Sequence, residues 1–317
     1  MVRPALRGSA LVVCSAVGFG LMPVFATYAY ARGVNVPTLL LARFTLAAVV
    51  LFGYLAARRR LPRLTARQAG SLLLLGGVLY ALQSTLYFTA VRHVSPAVTV
   101  LLFYLYPAFV LVLSVLRDRH RPSLAGMGAV GLSLGGLVLV VGRPDGRLSL
   151  PGVAYAVGAA LVYAVYIMVG DRVTSRVPPL PSSAFVALSA AVSFAATGAA
   201  TGSLHLDLPA GAWPPVVGVA LVSTVVAIGC FFAGMALTGP VRASVISTVE
   251  PVVAIVATGV LLGATMTGGQ LLGGAVVLAG AVWGTTVPGR GAGAGRVAGT
   301  RPGGGDLVTT PVSRPAG

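Results

Sequence analysis

Two charged residues stand inside stretches of chain that are otherwise apolar, and they define the chemistry open to this protein. Glu250 is the acidic residue placed in the middle of such a stretch. A carboxylate at membrane depth costs about 2.5–3.5 kcal/mol on insertion scales, so it must face a cavity or a partner. In a cavity it is a candidate proton carrier. As a structural group it would bond backbone freed by Pro251 or pair with Arg43. Arg43 keeps its charge permanently and can grip a carboxylate or phosphate at two points. Its alternative is to snorkel, since it follows Pro37 by about one and a half turns, near the start of its apolar run.

Around these two, aromatic and polar side chains recur at helical spacing. Tyr80, Gln83 and Tyr87 share one face, and Thr99, Phe103 and Tyr106 recur at similar spacing. Tyr163 and Tyr166 share a further face, and Ser244, Ser247 and Glu250 another. With Phe19 they would line an aromatic cavity bearing a few hydroxyls and one amide, suited to an amphipathic organic solute. Ordinary interhelix packing and interfacial anchoring are the competing uses of such residues. Pro23, Pro107 and Pro251 each remove a backbone hydrogen bond within an apolar run, and Pro107 and Pro251 are hinge candidates.

The elements that must hold these residues follow from composition. Hydrophobic residues make up 56% of the chain and charged residues 9%, with a mean hydropathy of +0.93. So few charges cannot cover a soluble core, and the solvent for most of the chain is lipid. The net charge of +16 is all arginine and lies mainly between apolar runs, which is a topology signal and not a nucleic-acid surface. Cys14 and Cys230 fall in apolar runs and His93, His120 and His205 are isolated, so neither a disulfide framework nor a metal site is expected. Gly18-Phe19-Gly20 leads to Pro23 where a dinucleotide loop needs its third glycine, and there is no phosphate-binding loop. No cofactor and no catalytic residue is expected.

Runs of roughly 20 apolar residues, the length that crosses a bilayer, occur at 8–29, 37–57, 69–90, 96–116, 123–142, 151–170, 180–202, 213–235, 240–262 and 268–287. The expected fold is therefore an all-α polytopic membrane protein of ten transmembrane helices. The first run follows Arg3 and Arg7 and resembles a signal peptide, but is read as an uncleaved span. With the N-terminus in the cytoplasm, 16 arginines fall on the cytoplasmic side and 4 outside, leaving Arg43 and Arg242 within spans. This predicts both termini in the cytoplasm of a cell (inner or plasma) membrane protein. The Gly/Arg/Pro-rich tail, 288–317, is expected to be disordered and cytoplasmic. Gly131-x-x-x-Gly135 and Gly269-x-x-x-Gly273 predict close helix contacts, between the halves or in a homodimer.

An offset of 144 residues superimposes the runs one on another. Pro96 falls on Pro240, Pro107 on Pro251, Gly136 on Gly280, Tyr87-Phe88 on Phe231-Phe232, and Phe19-Gly20 on Tyr163-Ala164. The chain thus divides into two five-helix units, 1–142 and 151–287. An odd number of spans per unit makes the repeats inverted, the architecture of alternating-access carriers.

Two such units, Ala42-Arg43-Phe44, Glu250-Pro251, and the Ser95-Pro96 and Gly239-Pro240 helix openings resemble the EamA family of the drug/metabolite transporter superfamily. The resemblance spans roughly residues 8–287. It implies export of metabolites or drugs, often amino acids or related compounds, coupled to an ion gradient or to none. The chain departs from the family where a Gly-Glu pair often ends the fourth and ninth helices: it has Arg119-His120 and Gly263-Ala264. The expected function is a secondary transporter of small organic metabolites, with a small-molecule substrate and the bilayer as partners. A non-transporting scaffold and a membrane-embedded transferase are the alternatives; the second would need an acid, base and nucleophile gathered at one depth.

Overall fold

The computed structural model of the chain describes residues 2–91, 93–94, 96–118, 123–141, 149–263, 267–284 and 286. The tail 288–317 and the Arg119-His120, Ser95 and Ala264 positions lie outside the described residues. Within them the chain is all-helical and contains no strand. Proline sets many of the boundaries. Helices α1 (Val2–Gly20) and α2 (Met22–Tyr30) form one rod interrupted at Leu21, two residues before Pro23. A proline has no N–H to return to the preceding turn, and its ring crowds the carbonyl there. Helix α3 (Val36–Ala57) starts on an Asn35 cap, whose side chain accepts from the Thr38 nitrogen at 3.0 Å, with Pro37 in the first turn. A reciprocal Thr65/Gln68 capping box opens α4 (Ala66–Leu73), which runs through a π-helical stretch, Leu74–Tyr80, into α5 (Ala81–Val91).

The next rod, α6 (Pro96–Phe103) and α7 (Tyr106–Asp118), is again broken just before a proline, Pro107. Helix α8 (Leu124–Val141) precedes α9 (Leu150–Thr174) and α10 (Pro179–Ala200). Helix α11 (Trp213–Ala220) passes through a second π-helical stretch, Leu221–Val226, into α12 (Ala227–Thr238). Gly239, at φ 83°, makes the turn into α13 (Pro240–Ile246), a backbone geometry that a side chain would oppose. A tight 3₁₀ turn, Ser247–Val249, then precedes Pro251 and joins α14 (Glu250–Leu262); α15 (Gly268–Gly284) follows.

Among the described residues, seven continuous helical stretches are long and apolar enough to cross a membrane: Ala5–Tyr30, Val36–Ala57, Ala66–Tyr87, Leu150–Thr174, Pro179–Ala200, Ala210–Thr238 and Pro240–Leu262. Leu124–Leu139 and Leu271–Gly284 are shorter apolar helices. Large side chains such as Leu73, Val192, Leu272 and Val282 are more than half exposed on the outside of the bundle. A soluble surface would not carry so many of them, whereas lipid solvates them. The chain is therefore a multi-pass membrane protein.

Packing repeats at the offset of 144. The most extensive pairing is α8 on α15, which run antiparallel. A Cβ on Gly136 would lie 2.6 Å from the Val277 nitrogen, and one on Gly280 would lie 2.8 Å from the Ser133 nitrogen. These are the same contact twice, since 136 and 280, and 133 and 277, are offset mates. Gly8 against Leu237 and Thr238 in the α1–α12 seam likewise recurs as Gly152 against His93 and Val94. Of the expected small-residue faces, Gly131 and Gly135 face open space and Gly269 barely touches α8, so these three do not join the halves, whereas the Gly273 carbonyl lies 2.8 Å from where a Gly136 Cβ would be. The face that Gly136 occupies makes the close contact instead, one residue around the helix. The thiols of Cys14 and Cys230, both free, lie 3.8 Å apart across α1 and α12.

Candidate functional site

The three proline breaks converge. At each of them regular α-helical bonding gives way to a tighter turn, as where the Val24 N–H donates to the Leu21 carbonyl and the Leu105 N–H to the Leu102 carbonyl, both at 3.2 Å, and the flanking residues line a common cavity of about 310 Å³. Phe19, Met22 and Pro23 come from the α1–α2 break, Phe103, Tyr104 and Tyr106 from the α6–α7 break, and Glu250 and Pro251 from the start of α14. Tyr80, Gln83, Ser84 and Tyr87 supply a second side, where the π-helical stretch passes into α5. Arg43 on α3 and Tyr163 on α9 complete the polar and aromatic lining.

Arg43 does not snorkel. Its residue is 3% exposed, and its guanidinium sits in the cavity wall. Nη1 lies 2.8 Å from the Met22 thioether sulfur and Nη2 donates to the Tyr80 hydroxyl at 3.3 Å. The Phe44 ring lies 4.5 Å below the guanidinium carbon, a cation–π contact. Nε is buried without a hydrogen-bond partner. These contacts are neutral or weak acceptors, so a buried permanent cation is left with donors to spare. Glu250 is not paired with it; its carboxylate lies near the Tyr104 hydroxyl.

The aromatic wall is a continuous set of ring contacts, tilted at Phe103–Tyr106 and Phe103–Tyr163 and edge-on at its two ends. Tyr87 meets Phe103 at 5.3 Å and 80°, and Tyr106 meets Tyr163 at 4.8 Å and 82°. Such edge-to-face pairs fix ring orientation and add to area burial. Of the residues singled out in the sequence, Phe19, Pro23, Arg43, Tyr80, Gln83, Tyr87, Phe103, Tyr106, Tyr163, Glu250 and Pro251 line this cavity. Five do not, among them Thr99 and Ser244, which are fully buried. Tyr166 is buried behind the wall, stacked on Tyr163 at 5.6 Å and edge-on to Tyr80. Pro107 is buried in the first turn of α7. Ser247 is buried in the 3₁₀ turn, its hydroxyl donating to the Ala243 carbonyl at 2.9 Å and near the Tyr106 side chain.

Met22, Tyr30, Ser84 and Tyr104 join the site without a sequence signal strong enough to name them. Tyr104 is the informative case: it occupies the break before Pro107, where regular helical spacing no longer says which way a side chain faces. The cavity wall runs up to Tyr30, the last residue of α2 and itself exposed. Toward the opposite, arginine-rich end, the rings of Tyr106 and Tyr163 close the floor, and Val110 and Ile167 beyond them are fully buried. At that end Arg117 donates to Asp171 at 2.9 Å and also holds Asp118 at 2.7 Å. Asp171 was missed because α9 runs four residues past the expected end of its span, carrying the carboxylate into a fully buried position. Among the described residues, no three His, Cys, Asp or Glu side chains gather where they could hold a metal.

The model of the EamA-like transporter family matches residues 6–142 and again 150–286. The uncharacterized transporter YcbK of Bacillus subtilis is 25% identical over 273 residues, covering 83% of this chain and 87% of that protein. An uncharacterized transporter of Archaeoglobus fulgidus is 29% identical over 280 residues, 86% of this chain and 94% of its own length. A solved crystal structure superposes with a TM-score of 0.71 at 21% identity, over 87% of this chain and 95% of that one, a likeness of fold.

Proposed function

We propose, from the premise that the chain belongs to the EamA-like transporter family and is a membrane transporter, that it moves small organic metabolites such as amino acids or drug-like compounds by alternating access. Its working direction on this reading is export. The observation that carries the substrate reading is Arg43, a buried guanidinium with an unpartnered donor in the wall of an aromatic cavity. A solute carboxylate would supply the missing acceptors in a charge-assisted, two-point contact. Its apolar body would lie against Tyr80, Tyr87, Phe103 and Tyr163, and Glu250 would exchange a proton as the site turns from one side to the other.

The architecture proposed for this cycle is ten spans in two inverted five-helix repeats, 1–142 and 151–287. The seven long apolar stretches, the two shorter apolar helices and the α6–α7 rod supply the ten. Antiparallel packing of α8 on α15 and the mated glycine contacts support inversion, because each contact has a counterpart at the offset. Inverted halves make the two facings near-equivalent in energy, which a carrier needs. Pro107 and Pro251 are proposed hinges: backbone bonds are already missing there, so bending costs little. The arginine distribution supports an orientation with both termini on the cytoplasmic side of the cell membrane. No cofactor or catalytic residue is assigned.

The test is exchange of a labelled solute in proteoliposomes that contain the purified protein alone. Panels of anionic, zwitterionic and neutral solutes small enough for a cavity of about 310 Å³ are compared. Saturable counterflow of at least one carboxylate-bearing solute is expected. Its absence across the panel, with intact protein, would favour a scaffold.

A further inference from the structure

The offset of 144 assigns every wall residue of the cavity a mate in the other half, and most of those mates are buried. Tyr80, Phe103 and Tyr104 line the cavity, whereas their mates Thr224, Ser247 and Thr248 are packed in the interior. The reverse holds beyond the aromatic floor. Val110 and Ile167 are fully buried, and their mates Ala254 and Pro23 line the cavity. Only Phe19 with Tyr163, and Tyr106 with Glu250, line it as mated pairs, so these four lie about the axis that relates the halves. The structure is thus open on one side of that axis and shut on the other.

The shut side has two features that good packing alone does not require. It buries a group of hydroxyls whose bonds run back to their own helix. Thr224 donates to the Val219 carbonyl at 2.9 Å, Ser247 to Ala243 at 2.9 Å and Thr248 to Val245 at 2.6 Å. The neighbouring Ser223 hydroxyl is buried with no partner. Apolar residues would fill the same space without the desolvation cost of these groups. The second feature is the closure. The α7–α9 seam ends in the Arg117–Asp171 ion pair, Asp171 being fully buried, with Asp118 on the other edge of the guanidinium. Leu261 and Thr27 are the mates of Arg117 and Asp171; among the described residues the bond found there is an exposed one, from the hydroxyl of Tyr28, beside Thr27, to the Leu261 carbonyl at 3.2 Å.

We propose that Thr224, Ser247 and Thr248 form the wall of a second, cytoplasm-facing cavity, and that the Arg117–Asp171 pair is the latch that keeps it closed in the state seen here. This inference rests on the alternating-access reading. In the alternate state the α7–α9 seam parts below Tyr106 and Tyr163, and the hydroxyls give up their backbone acceptors to water and to the polar groups of the solute. The α2–α14 seam closes in its place. The wall so exposed is narrower in aromatic area and richer in hydroxyls than the outer one, so a solute meets weaker stacking when it faces the cytoplasm.

The test uses two single-cysteine reporters in a chain carrying Cys14→Ser and Cys230→Ser. Ser84→Cys reports the outer cavity and Ser247→Cys the proposed inner one. Oriented membrane vesicles are treated with a charged, membrane-impermeant maleimide from either face, and solute exchange is followed in parallel. With the latch intact, Ser84→Cys reacts from outside and Ser247→Cys reacts slowly. Asp171→Asn or Arg117→Gln is expected to raise cytoplasmic labelling of the Ser247→Cys reporter by about tenfold or more while labelling of Ser84→Cys falls, since one conformation gains what the other loses. The charge exchange Arg117→Asp with Asp171→Arg should restore slow labelling, which separates loss of the latch from loss of the fold. Unchanged Ser247→Cys labelling in the latch variants, with solute exchange intact, overturns the inner cavity and leaves the transport reading standing. A rise at both reporters together overturns the latch, because it marks a loosened bundle. Reciprocal labelling without any solute flux would instead sustain the two cavities and sink the transport reading.

Discussion

Replacing Arg43 by glutamine separates a ligand-binding cation from a structural one, because the two roles predict opposite changes. The guanidinium is buried, and no carboxylate lies within ion-pair distance of it among the described residues. Its acceptors are a thioether at 2.8 Å and a phenol at 3.3 Å, and Nε has none. An uncompensated buried charge destabilises the empty protein. Arg43→Gln removes that charge, so the ligand-free variant should melt at a higher temperature than the parent. A bound carboxylate would gain two charge-assisted hydrogen bonds, worth about 1.5–3 kcal/mol each. Losing even the lower sum, about 3 kcal/mol, weakens binding roughly 100-fold. Thermal melting of the purified protein with increasing solute reads both effects, since a ligand raises the melting temperature only as far as it binds. Carboxylate-bearing solutes should lose their stabilising effect, and neutral solutes of the same shape should keep theirs. A lower melting temperature for the empty variant, with equal loss for charged and neutral solutes, refutes the reasoning and makes Arg43 a packing residue.

Two further outcomes are expected. Glu250→Gln should abolish flux driven by a pH gradient while binding and gradient-free exchange persist; pH-driven uptake at the parental rate would remove Glu250 from the coupling step. Gly136→Ala should cost about 1–3 kcal/mol, because its new methyl meets the α15 backbone. Gly131→Ala, which meets open space inside a helix, should leave the melting temperature of the detergent-solubilised protein no lower than the parent's.

Where a feature depends on local spacing along one regular helix, the sequence carried it. Tyr80, Gln83 and Tyr87 reach the same wall, as their spacing requires, and Arg43 does so from a face that composition alone marks as costly. The misplacements occur where regular geometry stops. Ser247 keeps its i, i+3 relation to Glu250, which a 3₁₀ turn brings into eclipse, but it is buried near Tyr106, and the packing that covers it is not written in residue spacing. Tyr104 faces the cavity because the rod breaks before Pro107, and the rotation at a break is not written in residue spacing. The glycine face on α8 was assigned one residue away from the true contact: Gly131, Gly135 and Gly136 all favour close approach, and only the position of α15 selects among them. Asp171 escaped notice because a span's end is set by packing and by the Arg117 partner, not by hydropathy.

Tyr106 and Glu250 occupy equivalent places on either side of the axis between the halves, and both face the same cavity. Two identical halves could place two acids there or none; they could never place one. A single carboxylate at the centre therefore requires halves that differ in sequence, and here one phenol and one acid divide a position that the offset makes equivalent.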